Sequence, residues 1–204
     1  GTGNAITNTG SEANLNITGG EISNEGNGSA IENSGETNIG GDSTITSGGD
    51  SPTIDNNEGG TTNITGGEPF IREDLEDIVR ELDKKSDRIV ISTNGFFTER
   101  IINLCKKFPH IGIRISIEGL EKTNNEIRGL ENGFQRGYNT LKKLREMGMT
   151  DVGFGMTVQD KNAPDLVPLY ELSNDLGMEF ATASLHNSFY FVEAKNIIKD
   201  RLMV

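Results

Sequence analysis

The chain has 204 residues and a formal net charge of −12, long enough for one or two ordinary domains. The acidity is uneven: residues 1–68 contain no Lys, Arg or aromatic residue but ten acids and 16 of the 26 glycines, leaving the remainder at −2. Neither part offers the basic patch that nucleic-acid backbones require, no apolar run reaches the length of a membrane span, and the single cysteine rules out an internal disulfide framework.

Residues 1–67 form a repeat. Ile6, Ile31 and Ile54 stand 25 and 23 residues apart, and Ile17, Ile39 and Ile64 stand 22 and 25 apart. Each isoleucine sits in a short run bounded by Gly, Asn, Asp and Ser, residues that break helices. One strand of this length cannot bury its face alone, but stacked copies can. The tract resembles the right-handed parallel β-helix repeats of bacterial surface proteins. Its low apolar content leaves disorder as the competing expectation. Asn16, Asn27 and Asn63 lie in N-x-S/T triplets, which such a composition produces by chance.

From Asn63 the pattern changes to alternating strands and helices. The segment EDLEDIVRELDKK has helical spacing, RIVISTNG reads as a buried strand, and TERIINLCKKF is amphipathic. IGIRISIEG follows as a strand and GFQRGYNTLKKLREMG as a helix closed by Gly148. DVGFGMTV is a strand, APDLVPLYELSNDLG a helix closed by Gly177, EFATASL a strand and VEAKNIIKDRLM a last helix. The alternation predicts a parallel α/β unit. With NIT as the first strand there are about five strands. A complete eight-unit barrel typically takes about 250 residues, so the expected fold is an incomplete parallel (β/α) barrel or an open sheet over 63–204, preceded by the repeat over 1–67. Without a neighbour, the NIT strand would be a sheet edge.

Polar residues gather where strands end: Glu68, Ser92, Asn94, Ser116, Glu118, Thr157 and His186. Ligands bind at that edge in parallel α/β folds. Here the motifs carry a resemblance. TGGEPFIREDL at Thr65–Leu75, ISTNG at Ile91–Gly95, ISIEG at Ile115–Gly119 and NEIRG at Asn125–Gly129 resemble, in order and spacing, radical S-adenosylmethionine (SAM) enzymes of the branch with a SPASM extension.

The resemblance implies SAM as ligand and a peptide or small metabolite as substrate. It implies cofactor contacts from Gly66, Gly67, Glu68, Ser92, Asn94, Ser116, Arg128 and Thr157, with Glu68 toward the methionine amine and Arg128 toward the carboxylate. Each assignment has a plainer alternative. Ser and Thr end strands in solvent, Glu68 suits a helix entry, and Arg128 could pair with Glu126 or Glu131.

The family also implies a [4Fe–4S] cluster on three cysteines in a CxxxCxxC loop, some tens of residues before TGGEP. The repeat occupies that stretch, and the one cysteine, Cys105, falls on an apolar helix face with Ile101, Ile102, Leu104 and Phe108. The cluster ligands are therefore expected to be absent, no metal site is assigned, and the catalytic residues stay unassigned. His110 and His186 lack companion ligands; His186 reads as a polar strand end.

The hexapeptide NITGGE occurs at Asn16–Glu21 and again at Asn63–Glu68. The second copy closes the repeat and opens the α/β part, so it reads as a seam between two sequences. The functional expectation is a radical SAM fragment that binds SAM without cleaving it. The alternatives are a structural or adhesive surface repeat protein, a chimeric product without activity, and a non-catalytic SAM-binding module. The α/β part suits the cytoplasm and the repeat a cell surface; the start of the chain lacks a signal-peptide pattern.

Overall fold

The computed structural model describes residues 3–10, 12–39, 43–47, 54–56, 60–65 and 67–184. Gly66, His186 and the helix expected near the end of the chain lie outside them. The chain divides into two compact units, Gly1–Ser92 and Thr93–Val204.

The first unit begins with short strands: β1 (Ile6–Asn8), β2 (Asn14–Ile17), β3 (Gly20–Asn24), β4 (Ile31–Asn33), β5 (Glu36–Ile39), β6 (Ser43–Ser47), β7 (Ile54–Asn56) and β8 (Thr61–Ile64). They stack as parallel ladders. β4 lies between β1 and β7, β5 lies between β2 and β8, and β3 pairs with β6. The landmark isoleucines are register partners: Ile6 with Ile31 and Ile31 with Ile54, then Ile17 with Ile39 and Ile39 with Ile64. The repeat length is therefore the distance the chain travels before it returns to the same ladder.

Apolar burial alone does not hold these ladders. Ala30 and Ile31 are buried, but so are Asn33, Thr37 and Thr62. Asn33 accepts from the Asn8 side chain at 2.7 Å and from the Gly35 N–H at 3.1 Å, and donates to the Gly35 carbonyl at 2.7 Å. A second row of amides runs along the β2–β5–β8 ladder: Asn38 donates to Asn16 at 2.8 Å, and Asn63 donates to Asn38 at 2.8 Å. The asparagine of NIT is thus a rung of this row, which explains why the triplet recurs. The Asn33 amide is satisfied inside the repeat, whereas the Asn16, Asn38 and Asn63 amides satisfy one another on a face that is exposed at Asn16 and half-buried at Asn38 and Asn63.

After a 3-10 turn at Pro69–Ile71 come α1 (Leu75–Leu82) and β9 (Arg88–Thr93). β8 pairs with β5 on one side and with β9 on the other, with Ile64 opposite both Ile39 and Ile91. The edge expected at the NIT strand is covered by the repeat. The compact unit runs past the second NITGGE because the ladder does.

The second unit contains α2 (Thr98–Lys107), β10 (Gly112–Ser116), α3 (Glu121–Arg128), α4 (Gly133–Glu146), β11 (Val152–Val158), α5 (Leu166–Asp175) and β12 (Glu179–Ser184). β11 pairs in parallel with β10 and with β12. Every other residue of the β10 segment, Ile111, Ile113, Ile115 and Ile117, is fully or almost fully buried. The face of α2 that carries Ile101, Ile102, Leu104, Cys105 and Phe108 is buried as its spacing implies. Gly148 and Gly177 follow α4 and α5 with φ of 90° and 61°, the left-handed conformation that glycine adopts freely. The sequence reading missed α3, whose segment EKTNNEIR is polar and has only Asn124 buried. At the opposite end of the strands, Arg114 pairs with Asp151 at 2.6 Å and ties β10 to the start of β11.

Glycines mark the tightest approaches. A Cβ on Gly35 would lie 2.2 Å from the Ala13 carbonyl oxygen, a backbone atom of the preceding turn of the repeat. Gly35→Ala is therefore expected to destabilise the chain by about 1–3 kcal/mol. Gly3→Ala, where a Cβ meets nothing within 4 Å, is expected to stay within about 0.5 kcal/mol. Denaturant melts of the two variants followed by circular dichroism check this; equal losses would contradict the stacked-turn geometry.

Candidate functional site

The site is built from the C-terminal ends of β10 and β11 in the second unit. In register, Ser116 pairs with Gly155 and Gly155 with Ala181, while Thr157 pairs with Ala183. Register partners in a parallel sheet share a face. That face is therefore a row of small residues, half-buried at Ser116, Gly155 and Thr157 and exposed at Ala181 and Ala183. The opposite face carries Ile115, Phe154 and Met156, all buried.

Beyond β10 the chain turns through Glu118, Gly119 and Leu120 into α3. Glu118 is buried. Its Oε1 accepts from Arg128 at 2.9 Å, and its Oε2 accepts from the main-chain N–H of Thr157 at 2.8 Å. Its own N–H donates to the side chain of Asn124 at 2.9 Å. The Leu120 N–H donates to Asp165 at 2.9 Å. Asn125, next to Asn124, accepts from the Phe134 N–H at 2.9 Å and so locks α3 to the start of α4.

These contacts relocate one expectation. Arg128 pairs with Glu118, not with Glu126 or Glu131. Thr157 takes part through its main chain. Asn94 is exposed and accepts from the Phe96 N–H at 2.7 Å, which shapes the turn after β9. In the first unit, Glu68 caps the 3-10 turn by accepting from the Phe70 N–H at 3.1 Å, and Ser92 is half-buried on β9. Gly67 has a φ of 36° with open space around it. The ligand roles of Gly67, Glu68 and Ser92 rest on the resemblance. Asn124 was missed, and Glu118, named among the polar strand ends, was given no ligand role. The available signal was the ten-residue step from the glutamate of ISIEG to the arginine of NEIRG, which one polar helix can bring together.

Electrostatics at Glu118 are contested. Burial pushes its carboxyl above the ordinary glutamate range, while Arg128 and the Thr157 N–H pull it back; burial is the largest effect. The folded chain then holds this proton to a higher pH than the unfolded chain does. Stability linked to that proton is complete below the ordinary glutamate value and is lost as pH rises through the raised folded value. Wild-type stability, measured relative to Glu118→Gln by denaturant melts, is expected to fall over the window just above the ordinary value. A flat or rising difference would contradict this.

Comparison with known proteins places the arrangement. A family model described as the Radical SAM superfamily matches residues 53–172. Fe-coproporphyrin III synthase of Methanosarcina barkeri is 32% identical over 112 residues, 53% of this chain and 27% of that protein. The sporulation killing factor maturation protein SkfB of Bacillus subtilis is 25% identical over 115 residues, 56% of this chain and 28% of that protein. The chain thus spans under a third of the length of these two relatives. The crystal structure of Streptococcus suis SuiB superimposes with a TM-score of 0.57 at 18% identity, over 65% of this chain and 31% of that one. SuiB bound to S-adenosylmethionine gives 0.55 at 18% identity, over 63% and 30% of the two chains. SuiB bound to precursor peptide SuiA gives 0.54 at 19%, over 62% and 29%. The structural likeness shows an incomplete parallel (β/α) barrel. With a family match over more than half its length, the chain belongs to the Radical SAM superfamily.

Proposed function

We propose that the second unit binds S-adenosylmethionine at the ends of β10 and β11, and that the residues of this chain do not by themselves supply the family's cluster. The observation that carries the first half is the state of Arg128. Among the described residues its guanidinium makes one hydrogen bond, to Glu118, and its side chain is 32% exposed. A guanidinium so held has donors left for a carboxylate. In this reading Arg128 takes the methionine carboxylate, and Ser116, Gly155 and Thr157 form the bed for ribose and adenine, where bulky side chains would intrude.

The two groups that the family implies differ in fit. The donor set suits SAM. It does not suit a [4Fe–4S] cluster, which is held by cysteine thiolates. The chain has one cysteine, and Cys105 is buried on the inner face of α2, its thiol pushed up to about 12 by desolvation. Among the described residues no group of three or more His, Cys, Asp and Glu could hold a metal ion. We read NITGGE as the joint at which the repeat takes over the stretch that would carry the cysteine loop. A peptide is the proposed substrate class for the whole protein, by analogy with SkfB and with SuiB on its precursor peptide. Among the described residues no helix is long and apolar enough to cross a membrane.

Titration calorimetry of the full chain with SAM tests the binding half. A carboxylate–guanidinium contact contributes about 1.5–3 kcal/mol, so Arg128→Ala is expected to weaken binding by about ten- to a hundredfold. Failure of the wild-type chain to bind SAM, or an affinity unchanged in Arg128→Ala, would overturn it.

A further inference from the structure

We propose that Glu118 is a positioning residue: it holds the Arg128 guanidinium so that the remaining donors of the fork meet an α-amino-acid carboxylate. This rests on the reading of the second unit as a SAM site and names the residue on which ligand recognition there depends.

The argument starts from how the two oxygens of Glu118 are divided. An arginine and a carboxylate left to themselves pair fork to fork through two parallel N–H···O bonds. Here the two oxygens have different partners: Oε2 accepts from the Thr157 N–H at 2.8 Å and Oε1 accepts from Arg128 at 2.9 Å. Anchored to the main chain of β11 through Oε2, Glu118 meets the guanidinium at one corner. The exposures agree with this division: the Glu118 side chain is 10% exposed and that of Arg128 is 32% exposed. The carboxylate lies inside, and the arginine reaches past it toward solvent.

Both partners are fixed from behind. The Glu118 N–H is held by the buried Asn124, and the Leu120 N–H by Asp165. Gly119 between them has a φ of 150°, and a Cβ there would come within 2.7 Å of the Asp165 carboxylate. Arg128 is the last residue of α3, and Gly129 follows in the left-handed conformation with φ of 62°. A guanidinium anchored at one corner by a rigid carboxylate loses less rotamer freedom on meeting a ligand than a freely waving one, which is how a buried partner raises affinity without touching the ligand. Compared with an unpaired arginine, the pair also carries less net charge. A group bearing both an ammonium and a carboxylate suits it better than an anion alone.

Two probes separate this role from a structural one. SAM carries the amino-acid group; 5′-methylthioadenosine keeps the adenine and ribose and lacks it. Glu118→Gln in the full chain is expected to weaken SAM binding by about tenfold, as loss of one charge-assisted contact implies, and to leave 5′-methylthioadenosine within about twofold. In an Arg128→Ala background the same substitution is expected to change SAM affinity by less than about twofold, because Glu118 acts through Arg128. Glu118→Asp, too short to reach Arg128 and Thr157 together, is read the same way should the glutamine variant not fold. Equal losses for both probes, or additive losses in the double variant, would overturn the positioning role while leaving SAM binding standing. A wild-type chain that binds 5′-methylthioadenosine but not SAM, or binds neither, would overturn both.

Discussion

The first unit depends on one interaction, the main-chain ladder that runs from the repeat into the barrel strand. Ile17, Ile39, Ile64 and Ile91 are successive register partners on β2, β5, β8 and β9. The third strand in this series, β8, is the second NIT. Both of its edges are hydrogen-bonded, so none of its N–H and C=O groups is left to invite another chain. A barrel fragment that starts at this strand would otherwise present a bare parallel edge. The repeat removes it with main-chain bonds, which are indifferent to side-chain identity. The repeat strand β5 and the strand β9 can therefore share the neighbour β8 without side chains matched between them.

What was legible in the sequence followed from period. The recurrence of Ile6, Ile31 and Ile54 fixed which residues stack, because a repeat returns each landmark to its own ladder. The apolar run of β10 and the inner face of α2 were equally legible, since burial on one or both faces leaves a simple pattern. Less legible was anything held by polar side chains at long range. The interior position of Asn33 is invisible to a hydrophobic count, because its amide is satisfied by Asn8 and Gly35. α3 was missed for the same reason: its role is to carry Asn124 and Arg128 to the loop after β10, and no apolar stripe announces it. Among the strand-end residues, the sequence identified the edge but not the pairing. Arg128 lies closer in sequence to Glu126 and Glu131, yet the fold sets it on Glu118, ten residues away.

That pairing ties the loop after β10 to its neighbours. Glu118 is kept from solvent, and its two side-chain hydrogen bonds join α3 to β11. The same sequence that retains this polar corner has a repeat where the cysteine loop is expected, and its single thiol is buried on a helix face. The polar corner is built from Glu118, Asn124, Arg128 and the Thr157 main chain, and the one cysteine of the chain is not among them.

The ladder continues from the repeat through the second NITGGE into β9, and amide hydrogen exchange on the full chain tests it most directly. The amides of β5, β8 and β9, together with Thr65, whose N–H bonds to the Ile39 carbonyl at 2.9 Å, are expected to be protected and to open together as one cooperative unit. Free-peptide exchange rates across residues 61–65 while β9 stays protected would show that the repeat does not cover this strand, and would contradict the joint.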